Sequence, residues 1–335
     1  MATTTMTMAK ALNEGLRRAM EKNAKVLLMG EDIGRLGGVF RITDGLQKDF
    51  GEDRVIDAPL AESAIVGTAV GLAIRGYRTV CEIQFDGFVY PAFDQIVSQV
   101  AKMHKRSDGV YTMGLVIRLP FQGGIGAIEH HSESPEPYFA QTAGLRVVSC
   151  STPNDAYWMI QQSIEHDDPI IFCEPKSRYW EKGEVDLDEA PCGLFDAQVR
   201  RVGSDVTLIG YGASVKTMLR AAQTAETEGT SLEVIDARSV SPLDLDTMAR
   251  SLEKTGRLVV VQESPHTASI GSEIVAELSQ RCFYSLRAPG LRVSGYHVPY
   301  PPSRIEDDYR PSVDRILDAV SRLQFDDSPD LSRAF

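Results

Sequence analysis

The sequence predicts an α/β protein of two doubly wound domains, and three observations carry that expectation. Its 335 residues exceed the roughly 250 to 300 at which one hydrophobic core stops growing. Short apolar runs alternate with longer helical patterns, first from Val26 to about Pro175 and again from Val206 onward, as in a parallel sheet covered by helices. Between them, Trp180 to Pro191 carries many charges and little periodicity, which reads as a linker. The expected division is 1–185, a linker at 186–200, and 201–335.

Taken in order, the chain opens with a Thr-rich stretch, Met1 to Lys10, and enters an amphipathic helix with Leu12, Leu16, Ala19 and Met20 on one face. Strands are expected at Val26–Met29, Thr79–Phe85, Leu115–Leu119, Leu145–Cys150 and Pro169–Cys173. Phe93, Ile96, Val97, Val100 and Met103 repeat at helical spacing, and Pro153-Asn154-Asp155 starts another helix that runs to about Glu165. The second domain should hold strands at Val206–Tyr211, Leu232–Asp236 and Leu258–Val261, with helices near Val215–Glu228, Leu243–Lys254 and Ser272–Ser279. Gly295 to Pro311, with its four prolines, should be an ordered surface segment without regular structure.

Composition narrows the function classes. Hydrophobic residues at 43% and charged residues at 24% match a soluble globular chain, so neither disorder nor a fibre is expected. A formal net charge of -12 argues against nucleic acid or an anionic membrane as partner, since both recruit Lys and Arg. The five cysteines are scattered, with no CxxC pair and no zinc-ligand spacing. Met1 to Lys10 lacks an apolar signal core, and no run approaches the roughly 18 apolar residues of a membrane span. A bacterial cytoplasmic chain is expected, or a mitochondrial matrix protein whose transit peptide has been removed.

The most informative stretch is Asp57-Ala58-Pro59-Leu60-Ala61-Glu62-Ser63-Ala64-Ile65-Val66-Gly67, which opens a helix of small residues expected to be buried. A carboxylate at its first turn has two readings. It can complement the helix dipole, worth about 0.3 to 1 kcal/mol, or it can be a buried carboxyl with a raised pKa poised for proton transfer. Position alone does not separate them.

Several ordered motifs do. Gly30-Glu31-Asp32-Ile33, Gly37-Gly38-Val39-Phe40, the Asp57 to Gly67 run, Glu82-Ile83-Gln84-Phe85 and Tyr90-Pro91-Ala92-Phe93-Asp94-Gln95-Ile96 are followed by His131-Ser132, Ser134-Pro135-Glu136, Glu174-Pro175-Lys176, Gly203-Ser204-Asp205-Val206-Thr207 and Gly295-Tyr296. Over nearly the whole chain this series resembles the beta subunits of thiamine diphosphate-dependent 2-oxo acid dehydrogenases, most closely the branched-chain type. The resemblance implies a thiamine diphosphate pyrimidine-binding domain followed by a transketolase C-terminal-like domain.

It also implies roles. Glu62 would hydrogen-bond a pyrimidine ring nitrogen of thiamine diphosphate and favour the imino tautomer, whose exocyclic nitrogen takes the proton from the thiazolium carbon. Leu60, Gln84 and Phe88 would line the aminopyrimidine site; many branched-chain relatives carry Tyr where Phe88 stands, so any hydrogen bond made there by a hydroxyl is in doubt. His131, on the loop after Gly123-Gly124-Ile125-Gly126-Ala127, would serve acyl transfer to a lipoyl group. By composition that glycine run is flexible, and it lacks the patterns that cradle nucleotide phosphates.

The chain has Asn only at positions 13, 23 and 154 and no GDG, so the family's magnesium-diphosphate motif is missing. A separate alpha subunit in an alpha2-beta2 assembly is the implied holder of diphosphate and magnesium. The resemblance further implies a 2-oxo acid substrate, a lipoyl acyltransferase core as partner, and a structural potassium site near Ser163, His166 and Asp168. The acidic clusters Glu306-Asp307-Asp308 and Asp326-Asp327 read as solvated surface, or as charge offered to a basic domain of that core. Other readings are a pyruvate or acetoin substrate, a non-catalytic interaction subunit, or a self-sufficient transketolase-like enzyme.

Overall fold

A computed structural model describes residues 3–325. It divides into two units, Met1–Phe121 with Tyr138–Leu194, and Gln122–Pro137 with Phe195–Phe335. The short segment Gln122–Pro137 thus groups with the C-terminal residues.

In chain order the elements of the first half are β1 (Thr3–Thr7), α1 (Met8–Lys22), β2 (Val26–Gly30), α2 (Leu46–Phe50), β3 (Val55–Asp57), α3 (Glu62–Ile74), β4 (Arg78–Glu82), α4 (Met103–Arg106), β5 (Leu115–Phe121), α5 (Glu136–Ala140), β6 (Arg146–Ser149), α6 (Pro153–Glu165), β7 (Ile170–Pro175) and β8 (Lys182–Asp186). Strands β6-β7-β5-β4-β2-β3 lie side by side in that order and all run parallel. Every residue of β2, β5 and β7 is buried, as expected of central parallel strands covered on both faces.

Three expectations change here. Thr3–Thr7 pairs antiparallel with Lys182–Asp186, from Thr3 opposite Asp186 to Thr7 opposite Lys182, so part of the expected linker is a strand. The β-branched threonines suit an extended ribbon, but the pairing joins residues far apart in sequence and leaves no local apolar signal. The helix expected around Phe93 to Met103 is replaced by a tight turn of helix at Asp86–Ala92 and a wide one at Gln95–Val100, in which the Ala101 N–H reaches back five residues to the Ile96 carbonyl at 3.0 Å. Helix α3 buries Ile65, Val66, Ala69, Val70 and Ala73 on one face and exposes Ser63, Ala64, Thr68 and Gly71 on the other. It is a half-buried helix.

The second unit continues with β9 (Gln198–Arg201), β10 (Val206–Gly210), α7 (Ser214–Thr227), β11 (Leu232–Asp236), β12 (Ser239–Ser241), α8 (Leu245–Thr255), β13 (Leu258–Pro265), α9 (Ile270–Arg281), β14 (Leu291–Gly295), α10 (Glu306–Tyr309) and α11 (Val313–Phe325). Its sheet runs β14-β13-β10-β11-β9, parallel except for β9. Val215, Met218, Ala221, Ala222 and Ala225 of α7 and Ile316, Ala319, Val320 and Leu323 of α11 pack with the strands into one core, the i, i+3, i+4 stripe of an amphipathic helix.

Candidate active site

In unit 1 the chain places β3 on one side of β2 and then crosses back to lay β4 on the other. A reversal of this kind opens a crevice at the carboxyl ends of the strands. Three carboxylates are delivered there: Glu31 just after β2, Glu62 after β3 as the first residue of α3, and Glu82 as the last residue of β4. The Ala58 N–H donates to the Gly30 carbonyl at 2.8 Å, which ties the connection into α3 to the end of β2. The Gln84 side-chain amide donates to the Glu31 carbonyl at 3.3 Å. Gly30 permits the close approach, since a Cβ there would lie 3.0 Å from both the Cβ and the carbonyl oxygen of Glu82.

Glu62 is 7% exposed and Glu31 likewise 7%. Burial first, and then the charges of Glu62 and Asp32, push the Glu31 carboxyl above its ordinary pKa, against a hydrogen bond from the Ala61 amide that favours the anion. Glu31 Oε1 is buried and has no hydrogen-bond partner among the described residues. On the solvent side Leu60 is 82% exposed. Phe88 is half-buried and meets Phe85 edge-on at 5.9 Å, and Phe85 meets Phe40 at 5.4 Å.

Behind these residues lies a network of buried ions. Arg118, fully buried in β5, donates to both oxygens of Glu174 at 2.7 and 2.8 Å and also to Glu82. The Tyr179 hydroxyl donates to Glu174 at 2.7 Å. Burial opposes the guanidinium charge, but Glu174 and Glu82 outweigh it and raise the Arg118 pKa. Glu82 is raised, because its burial exceeds what Arg118 returns. Lys176 and Asp86, both fully buried, form a second ion pair. Such pairs fix geometry, and removing one partner strands the other charge.

In unit 2, His131 is half-buried and His130 exposed, with their rings 6.0 Å apart. The His131 N–H donates to the Ile128 carbonyl at 3.0 Å. Nearby in sequence Glu136, fully buried, accepts the Tyr211 hydroxyl at 2.7 Å. Burial pushes its carboxyl up to about 7, partly countered by that hydrogen bond. Glu306, expected at the surface, is only 6% exposed and accepts the amides of Gly124 and Gly126 at 2.6 and 3.1 Å. Its neighbour Asp307 has a fully solvated side chain, so one residue of that acidic cluster turns inward. Asp326-Asp327 lie outside the described residues.

Comparison with known proteins also gives two domains, and counts residues 122–137 with the first. Residues 4–181 match the transketolase pyrimidine-binding domain and residues 196–316 the transketolase C-terminal domain. The chain is 57% identical, over 94% of each protein, to the pyruvate dehydrogenase E1 component subunit beta of Leifsonia xyli. The chain belongs to the beta subunits of the 2-oxo acid dehydrogenases. It is also 50% identical to the 3-methyl-2-oxobutanoate dehydrogenase subunit beta of Mycobacterium tuberculosis, over 96% of this chain and 92% of that protein. A split-gene transketolase solved as an inactive beta4 tetramer shares the fold, with a TM-score of 0.78 at 18% identity, covering 95% of this chain and 98% of that one.

For this beta subunit the structure brings Glu62, Gln84 and Glu31 to one crevice edge, with Leu60 on the connection into α3 and Phe88 just after β4. Ser163, His166 and Asp168 fall around the end of α6. The Ser163 hydroxyl is buried without a hydrogen-bond partner among the described residues, the His166 carbonyl accepts from Arg78 at 2.5 Å, and Asp168 pairs with Arg146 at 2.9 Å. Sequence reasoning assigned no role to Glu31, Arg118, Glu174 or the Lys176 and Asp86 pair. A signal existed: a charge inside an otherwise apolar strand, as in Leu-Val-Ile-Arg-Leu-Pro-Phe, has to be paired.

Proposed function

We propose that this beta subunit acts with a separate alpha subunit, in an alpha2-beta2 assembly, to decarboxylate a branched-chain 2-oxo acid and pass the acyl group to lipoyl domains of an acyltransferase core. The observation that carries the reading is Glu62, a carboxyl 7% exposed at the first residue of α3 in the crevice beside Glu31. Thiamine diphosphate, when bound, supplies the carbanion chemistry that breaks the bond to the carboxylate. The residues present fit its aminopyrimidine ring: a buried carboxyl for a ring nitrogen, the half-buried Gln84 and the unpartnered Glu31 Oε1 as polar contacts, and the apolar Leu60 and Phe88 for its faces.

In this reading Glu62 shares a proton with the ring nitrogen, and its burial keeps water from competing for that bond. His131 moves a proton during acyl transfer. The diphosphate and magnesium fall to the alpha subunit, and the end of α6 is assigned to potassium. Pyruvate is the second substrate reading, favoured by the 57% identity to a subunit that bears that name. With the reconstituted assembly, Glu62→Gln should keep the fold and lower turnover by about a hundredfold or more. Near-normal turnover would end the assignment. The ratio of kcat/KM for 3-methyl-2-oxobutanoate to that for pyruvate decides the substrate.

A further inference from the structure

The segment that carries His131 begins with a glycine run whose amides are held by buried carboxylates. The Gly123 N–H donates to Glu263 Oε1 at 2.5 Å, the Gly124 N–H to Glu306 Oε1 at 2.6 Å and the Gly126 N–H to Glu306 Oε2 at 3.1 Å. Both oxygens of one carboxylate are engaged because Gly124 and Gly126 sit at φ 87° and 69°, which turns their amides to a common side. The space is closed to larger residues. A Cβ at Gly123 would overlap the Tyr300 hydroxyl, and one at Gly124 would lie 2.7 Å from the Arg310 guanidinium.

The carboxylates are themselves fixed. The Tyr300 hydroxyl donates to Glu306 at 2.8 Å and Arg310 approaches Glu263 at 3.4 Å, while Glu263 and Glu306 are 3% and 6% exposed. Toward the far end of the segment, the Gln122 N–H bonds the Glu133 carbonyl at 2.9 Å and Glu136 accepts the Tyr211 hydroxyl. His131 lies between these two anchorages.

We propose that Glu306, assisted by Glu263 and Tyr300, is a positioning residue for His131, holding the glycine run so that the imidazole stands where acyl transfer needs it; this rests on the function proposed above. Charge-assisted bonds to amides are the strong kind. A glycine run freed of them gains many conformations, and a displacement of about 1 Å at a reacting group costs on the order of a hundredfold in rate.

The test uses the reconstituted alpha2-beta2 enzyme with two assays, 2-oxo acid decarboxylation read with an artificial electron acceptor and acylation of an isolated lipoyl domain. Glu306→Ala should lower the ratio of acylation to decarboxylation by about tenfold or more, in the same direction as His131→Ala, and should speed amide exchange across residues 122–137. Glu306→Gln retains one acceptor oxygen and should recover part of the ratio. Tyr300→Phe should give a smaller shift of the same sign, and it carries the test if the alanine variant does not fold. Equal loss in both assays with native exchange, or no change in either readout, would overturn the proposal. Should the unmodified enzyme decarboxylate no 2-oxo acid, the functional reading fails by itself, and exchange across residues 122–137 still reports on the clamp.

Discussion

The cluster behind the crevice in unit 1 and the cluster around the glycine run in unit 2 bury acidic side chains in opposite ways. In unit 1, Glu82 and Glu174 face the full charge of Arg118, and Asp86 faces Lys176. In unit 2, Glu263 and Glu306 are met by backbone amides, and Glu306 and Glu136 by the phenols of Tyr300 and Tyr211, with the Arg310 guanidinium at 3.4 Å from Glu263. Full counter-charges lock strands against each other. Dipoles and phenols hold a loop, and they leave Glu136 near its point of titration, at about 7. The first cluster is built for rigidity behind the crevice, and the second for orientation, with a response to pH built in.

The largest effect is expected where the counter-charge is complete. Arg118→Met leaves Glu82 and Glu174 buried without their cation and should cost about 3 to 5 kcal/mol, read from denaturant unfolding. Adding Glu82→Gln to that variant should recover part of the loss, since one stranded charge is removed. A loss below about 1 kcal/mol, the scale of a surface pair, would dissolve the contrast between the two clusters.

Glu136 comes next. Burial raises its carboxyl from 4.5 to about 7, so the folded unit holds a proton that the unfolded chain has released. The stability it contributes is complete below about pH 4.5 and is lost as pH rises through about 7. Glu136→Gln keeps an acceptor for Tyr211 without the titration. Its unfolding midpoint should therefore vary less than that of the parent between those two pH values, the difference being on the order of 3 kcal/mol. Parallel curves would show that the carboxyl stays ionised.

The same contrast explains what the sequence disclosed. β2, β5 and β7 announced themselves as apolar runs because central parallel strands are buried on both faces. Glu62 was legible because its motif is contiguous and its helix begins at that residue. The ribbon of Thr3–Thr7 with Lys182–Asp186 was not, since its residues are mostly polar and its partner is remote. Nor was the grip of Glu306 on Gly124, which spans 182 positions. Composition read Glu306 as surface, and that error comes from a tertiary pairing that no local pattern encodes.

The smallest expected effect compares how helices begin. Thr7 starts α1 with a neutral hydroxyl that accepts the Lys10 amide at 3.2 Å. Asp244 starts α8 with a carboxylate that accepts the amides of Thr247 at 3.1 Å and Ala197 at 3.0 Å. Burial works against that charge, but the hydrogen bonds from Thr247 and Ala197 outweigh it and lower the Asp244 pKa. Its contribution is present above the ordinary carboxylate value of 3.8 and fades as pH falls through the lower folded value. Asp244→Ala should cost about 1 kcal/mol at neutral pH and less in acid, whereas Thr7→Ala should cost a similar amount with little change between the two. If the Asp244→Ala deficit in unfolding midpoint is the same at pH 7 and in acid, the cap works through its shape alone, and the carboxylate charge adds nothing to the start of α8.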